Sequence, residues 1–337
     1  MTKLKVGMIS FAHAGHPDSY LSELMDHPNV EVIGIADENQ DRVQKYIELY
    51  DIPYYVDYKE LLKTDCDAVF ICSKYVNHAK LTLEAARAGK HIMCEKPLGL
   101  SIEEMQNMIA VCKEQGVQLM TAFPCRFSSP VIQAKAFIDR GDLGEILAIK
   151  GTNRGIMPGD WFVDRAVSGG GAIMDHTVHV MDLMNWFLSV PVQEVYAEAG
   201  TNFYELDVED SGMVHVKFKN GVIGVVDTSW SFCKSFPRSF DVTLNIIGTK
   251  GVLSVDALAQ SNEVYRDDVM KAEWSFWGDE MDKALVHSFV DALRRGSNVP
   301  ITGEDGLNST AVALAAYESL RTKNPVKMEL FYALGGK

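Results

Sequence analysis

At 337 residues the chain exceeds what a single hydrophobic core usually organises, so two domains are expected. A net charge of −14 excludes nonspecific attraction to nucleic acid or to an anionic membrane surface. No run approaches the roughly eighteen apolar residues of a membrane span, and a hydrophobic share of 47% leaves no compositional case for long disorder.

The opening Met1-Thr2-Lys3-Leu4-Lys5 leads into a short apolar strand, too brief for a signal-peptide core and without a small-residue cleavage site. Six cysteines (Cys66, Cys72, Cys94, Cys112, Cys125 and Cys233) are scattered without a Cys-x-x-Cys pair. They read as small core residues of a cytoplasmic protein, with neither disulfides nor a metal site.

A strand over 5–9, a helix over 20–27 and a strand over 30–36 predict a βαβ unit. The turn Ser10-Phe11-Ala12-His13-Ala14-Gly15 has the spacing of the dinucleotide fingerprint Gly-x-Gly-x-x-Gly, with Ser10 and Ala12 in the first two glycine places. Backbone N–H groups exposed at such a helix start are where a pyrophosphate binds. Asp37 closes the second strand, where an acidic residue binds ribose hydroxyls and repels a 2′-phosphate. No arginine follows until Arg42, so NAD is expected rather than NADP. A helix N-cap role is the other reading of Asp37.

Further strands at 67–72, 91–94 and 117–122 alternate with helices at 42–50, 79–88 and 105–115. Gly89 and Gly116 stop two of these helices, and Ser101 with Glu104 has capping-box spacing. Cys94-Glu95-Lys96-Pro97 places a lysine where a buried strand leaves the sheet, the end at which open α/β sheets bind ligands. A surface lysine in a βα loop is the alternative. The first domain, a Rossmann dinucleotide-binding fold, is expected over 1–123.

Beyond it, a helix at 130–140 precedes strand-like runs at 146–152, 194–199, 212–218, 222–231, 241–247 and 252–255. Asn220-Gly221 predicts a type I′ hairpin. With late helices near 280–295 and 304–320, residues 124–337 read as an α+β substrate-binding and oligomerisation domain with a largely antiparallel open sheet. One helix in it differs from core filler. Gly169-Gly170-Gly171 opens it, and Asp175, His179 and Asp182 share one face of an otherwise apolar run. The glycines let another group approach, which suits a substrate pocket; a local Asp–His pair is the alternative. A metal held by Asp175, His176 and His179 is not expected, because adjacent residues point to different faces.

These stretches resemble the glucose-fructose oxidoreductase / inositol dehydrogenase / rhizopine-catabolism (Gfo/Idh/MocA) family over essentially the whole chain, in Glu95-Lys96-Pro97 and in the glycine run followed by Asp175 and His179. The resemblance implies NAD(P)-dependent oxidation or reduction of sugars or polyols, and a homodimer or homotetramer formed through the open sheet. It makes Lys96, Asp175 and His179 the catalytic groups. Ser10, Phe11, Ala12, His13, Gly15, Asp37, Cys72, Ser73, His78, Glu95, Lys96, Pro97 and Arg126 become the cofactor side. Three departures stand out: Ser10 and Ala12 for glycines, Lys74 for a usual proline, and His176 after Asp175. For the substrate side, Trp161, Phe162, Asp164 and Arg165 join Lys96, Arg126, Asp175, His176 and His179; loop anchoring is the other reading of the first four.

His179 is the natural base for a carbinol proton, Asp175 its orienting partner, and Lys96 a stabiliser of charge on the reacting oxygen. Two rivals share this fold: a sugar lyase or hydrolase that uses NAD transiently, and a cofactor-binding regulator.

Overall fold

The computed structural model describes residues 2–13 and 15–336; Ala14 of the expected phosphate turn lies outside the described residues. The chain divides into two compact units, Met1–Pro124 with Asp282–Leu307, and Cys125–Met281 with Asn308–Lys337.

In the first unit, β1 (Leu4–Ile9), α1 (His16–Asp26), β2 (Val30–Ala36), α2 (Gln44–Tyr50), β3 (Tyr54–Tyr55), α3 (Tyr58–Leu62), β4 (Ala68–Ile71), α4 (His78–Arg87), β5 (His91–Glu95), α5 (Ile102–Glu114) and β6 (Leu119–Ala122) alternate. The strands form one sheet in the order β3-β2-β1-β4-β5-β6, and every pair is parallel. This is a doubly wound Rossmann arrangement whose order reverses beside β1, so the ends of β1, β2 and β4 border the natural ligand crevice. Local signals account for the boundaries. Ser101 accepts the Glu104 N–H at 3.2 Å to cap α5, and Gly89 and Gly116 take positive φ where α4 and α5 end.

The second unit contains α6 (Ser129–Asp139), β7 (Ile146–Arg154), α7 (Arg165–Ser168), α8 (Ala172–Leu188), β8 (Val192–Gly200), β9 (Ser211–Phe218), β10 (Ile223–Ser229), β11 (Thr243–Gly248) and β12 (Gly251–Asp256). A separate hairpin, β13 (Ser261–Arg266) with β14 (Lys271–Phe276), follows; the sequence reading did not anticipate it. The main sheet runs β12-β11-β7-β10-β9-β8-β15, closed by the short β15 (Val326–Lys327). It is antiparallel except for the parallel pair β7 and β10. Small residues admit α8 to it: a Cβ on Gly151 would meet Val180 at 2.4 Å, and one on Gly224 would meet Val216 at 2.6 Å and Met184 at 3.1 Å. No helix of the described residues is long and apolar enough to cross a membrane.

Two expectations change here. Asn220 is absent from the positive-φ residues whereas Gly221 has φ 92°, and the Phe218 N–H donates to the Val222 carbonyl. The turn is therefore a three-residue loop with glycine alone left-handed, not type I′, which needs two such residues. The first late helix, α9 (Met281–Arg295), clusters with the first unit from Asp282 onward, unlike α10 (Gly303–Thr322) and α11 (Met328–Ala333), which belong largely or wholly to the second. Leu285, Val286, Phe289 and Val290 on α9 are fully buried, and Phe289 meets Phe70 of β4 edge-on at 5.4 Å. Periodicity showed that α9 has an apolar face but not which core receives it.

Candidate active site

The loop after β1 is left-handed at Ser10, the first of the two glycine places the sequence fills otherwise. Ser10 takes φ 68°, the left-handed conformation a glycine would adopt freely, and Gly15 takes 83°. Such a conformation costs a non-glycine residue about 1–2 kcal/mol. The Ser10 hydroxyl offsets part of this by accepting the Ala12 N–H at 3.2 Å, and the Ser10 and His13 N–H groups donate to the carbonyls of Ala36 and Cys72. Asp37, its carboxylate fully buried, accepts the N–H groups of Phe11 at 2.6 Å and Asn39 at 2.8 Å. Arg42 contradicts the expectation of no nearby cation, because its Nη1 stands 3.2 Å from Asp37 Oδ1. Three donors leave one of a carboxylate's roughly four acceptor positions for a ribose hydroxyl. A cavity of about 260 Å³ opens beside it, lined by Ser10, Ala12, Asp37, Ser73, Lys80 and Leu81 among others. Acidic residue, left-handed turn and cavity together fit the adenosine half of NAD.

Lys96 is 3% exposed and Glu95 1%. The Lys96 N–H donates to Glu95 Oε2 at 3.1 Å, and its ammonium nitrogen lies 6.0 Å from the Tyr75 ring centre. His16 Nδ1 stands 2.8 Å from Glu95 Oε1. Burial alone would raise the Glu95 carboxyl, but the charges of His16 and His13 outweigh it and hold it well below the usual carboxylate range. Ligand-capable atoms of His13, His16 and Glu95 fall within 4.8 Å of one another. The 2.8 Å spacing is that of a hydrogen bond, and a helix N-terminus with Lys96 nearby opposes a metal cation. We read the cluster as an ion pair.

His78 does not reach the surface. Its Nδ1 lies 2.8 Å from the Pro97 carbonyl and its Nε2 3.1 Å from the Ser73 carbonyl, and it is fully buried. It ties the loops after β4 and β5 together. Burial lowers its pKa against the raising effect of these two contacts. Cys72 is buried at 1% and Ser73 at 2%, with the Ser73 hydroxyl donating to the Lys74 carbonyl.

In the second unit α8 displays Asp175 and His176 at 8% exposure and a half-buried His179. Asp175 Oδ2 accepts the Trp230 indole N–H at 3.3 Å and lies 3.3 Å from His176 Nε2, so neighbouring residues approach where the sequence reading set them on different faces. His176 Nδ1 faces the Asn153 carbonyl at 2.9 Å and must donate to it. Asp182 is taken by Arg126, whose Nε and Nη2 form a two-pronged ion pair at 2.7 and 2.6 Å.

The glycine run makes room for protein. A Cβ on Gly170 would fall 1.9 Å from the Tyr317 hydroxyl, and one on Gly171 1.9 Å from the Glu209 carbonyl. Trp161 and Phe162 stack at 3.9 Å and are buried. Asp164 caps α7 by accepting the Ala166 N–H, and Arg165 donates to the Asp207 carbonyl at 3.3 Å. Sequence reasoning missed His16, Glu209, Trp230 and Tyr317; each acts on a residue distant in sequence, and no local motif marks it.

A family profile described as the oxidoreductase family, NAD-binding Rossmann fold, matches residues 4–123, and one described as the GFO/IDH/MocA C-terminal domain matches 131–254. Uncharacterized oxidoreductase YrbE of Bacillus subtilis is 31% identical over 315 residues, 90% of each chain. The chain belongs to the Gfo/Idh/MocA oxidoreductase family. Another relative is the myo-inositol 2-dehydrogenase of Thermotoga maritima, 27% identical over 97% of this chain and 99% of its own. A solved levoglucosan dehydrogenase, in complex with NADH and levoglucosan, shares the fold with a TM-score of 0.84 at 24% identity, covering 97% of this chain and all of that one. The first unit is thus the NAD-binding Rossmann fold of a Gfo/Idh/MocA oxidoreductase, with Ser10 in a left-handed conformation open to glycine at the first glycine place of the fingerprint.

Proposed function

We propose that this oxidoreductase moves a hydride between NAD and a hydroxyl-bearing carbon of a sugar or polyol. The relatives act, by their names, on inositol and levoglucosan, both rich in vicinal hydroxyls. The observation that carries the reading is Lys96, held at 3% exposure at the carboxyl end of β5 on a peptide fixed by its neighbours. Bound NAD supplies the hydride acceptor or donor. Lys96 stabilises charge on the reacting oxygen; His179 takes or returns the hydroxyl proton, and Asp175 supports that exchange. Trp161, Phe162, Asp164 and Arg165 supply or anchor substrate contacts, and Arg126 braces α8 through Asp182.

Lys96→Met is expected to leave the NAD dissociation constant within a few fold and to lower kcat by at least ~100-fold, the scale for losing one preorganised charge stabiliser. A panel of polyols and aldoses scored by NADH formation gives the activity. Product release without net NADH would favour the transient-redox lyase; unchanged activity in the variant would remove Lys96 from the chemistry.

The protein is further proposed to be cytoplasmic and a homodimer or homotetramer. Met213, Ile223, Ile247 and Val252 lie on strands of the second unit's sheet yet are 39–65% exposed, and an apolar sheet face favours coverage by another copy. Sedimentation at micromolar concentration should give a dimer or tetramer; a monomer would contradict this assembly.

A further inference from the structure

The Lys96 loop has a support that no motif or family description assigns. His16 begins α1, and its imidazole meets Glu95 Oε1 at 2.8 Å. The other Glu95 oxygen accepts the Lys96 N–H at 3.1 Å. A carboxylate exposed at 1% needs a cationic or hydrogen-bonded partner to remain ionised. Burial opposes the charged form of His16, as do Lys96, the neighbouring His13 and the amino end of α1, while Glu95 on β5 and Asp282 on α9 favour it; the balance is upward. The His13 ring lies 4.6 Å and the Tyr20 ring 5.9 Å from the imidazole, both tilted to it.

We propose that His16 is a positioning residue for Lys96: its ion pair with Glu95 orients that carboxylate, which fixes the peptide from which the lysine side chain departs. This deepens the proposed function and rests on its reading of Lys96. His16 stands beside the phosphate turn, so the competing role is direct contact with the cofactor.

The test labels lysine with carbon-13 at Cε and assigns the Lys96 resonance by its loss in Lys96→Arg. His16→Leu should displace that resonance and lower kcat at saturating NAD by roughly 10- to 100-fold, the scale for a group misplaced by about an ångström. NAD affinity should stay within about threefold, since the acidic residue and turn that hold the adenosine half are untouched. His16→Gln, which can still donate to Glu95, should recover part of the rate. In the unaltered protein the Lys96 resonance should report the protonation of His16 as a pH-dependent step that the glutamine variant, which keeps His13 and His78, lacks.

If His16→Leu does not fold, the glutamine variant decides through that missing titration. NAD affinity weakened more than tenfold with kcat unchanged would make His16 a cofactor ligand and overturn the proposal. A lowered Tm with unmoved resonance and rate would make it a structural residue only and would also overturn it. The resonance and affinity measurements need no substrate, so failure of the dehydrogenase reading shows separately, as inactivity of the unaltered enzyme on every polyol.

Discussion

At Asp37, one carboxylate organises the turn after β1, the start of the next loop and the guanidinium of Arg42. The arginine alters what a substitution there should do. Removing the acid deletes the repulsion toward a 2′-phosphate and also releases a cation already in place. Asp37→Ser should lower the NAD-to-NADP ratio of kcat/KM by at least ~10-fold, about what one charge-assisted contact supplies. Steady-state rates with both cofactors check this, and an unchanged ratio would mean that neither Asp37 nor Arg42 faces the 2′ position. The placement of Asp37 and Lys96 was legible in the sequence because each directly follows a buried strand, β2 or β5, of an alternating βα pattern. The Arg42 contact and the His16–Glu95 pair were not. Arg42 lies on a short turn whose direction no periodicity encodes, and His16 meets a residue 79 positions away.

The amino end of α8 shows the same division among elements. Gly171 offers no side-chain cap, and distant groups replace one: Glu209 Oε1 accepts the N–H groups of Gly171 and Ile173, and the Tyr317 hydroxyl donates to the same oxygen. The sequence disclosed a need for space, yet the groups filling it come from 38 and 146 residues away. Gly171→Ala should cost more than about 3 kcal/mol or abolish folding, because the opposing atom is backbone and cannot turn aside. Tyr317→Phe, which removes one hydroxyl from the buried network, should cost about 1–3 kcal/mol. Urea unfolding of both variants gives the order; a neutral Gly171→Ala would mean that the amino end of α8 can move.

For the whole molecule, the first unit is discontinuous in sequence. Its core includes Phe70 from β4 and Leu285, Val286 and Phe289 from α9, all fully buried. A fragment ending at residue 124 lacks the α9 side of that core. It should show no cooperative thermal transition and should bind a hydrophobic dye, whereas joining 282–307 to it through a flexible linker should restore a transition. A cooperative 1–124 fragment would mean that α9 only decorates the unit. Discontinuity also sets an order of events during synthesis. Between Pro124 and Asp282 lie more than 150 residues, which a ribosome adding about 5–20 residues per second needs roughly 8–30 s to make. Throughout that interval the nascent cofactor domain has an unfilled core, open to chaperones and to neighbouring chains, so it is completed only after most of the second unit has been made.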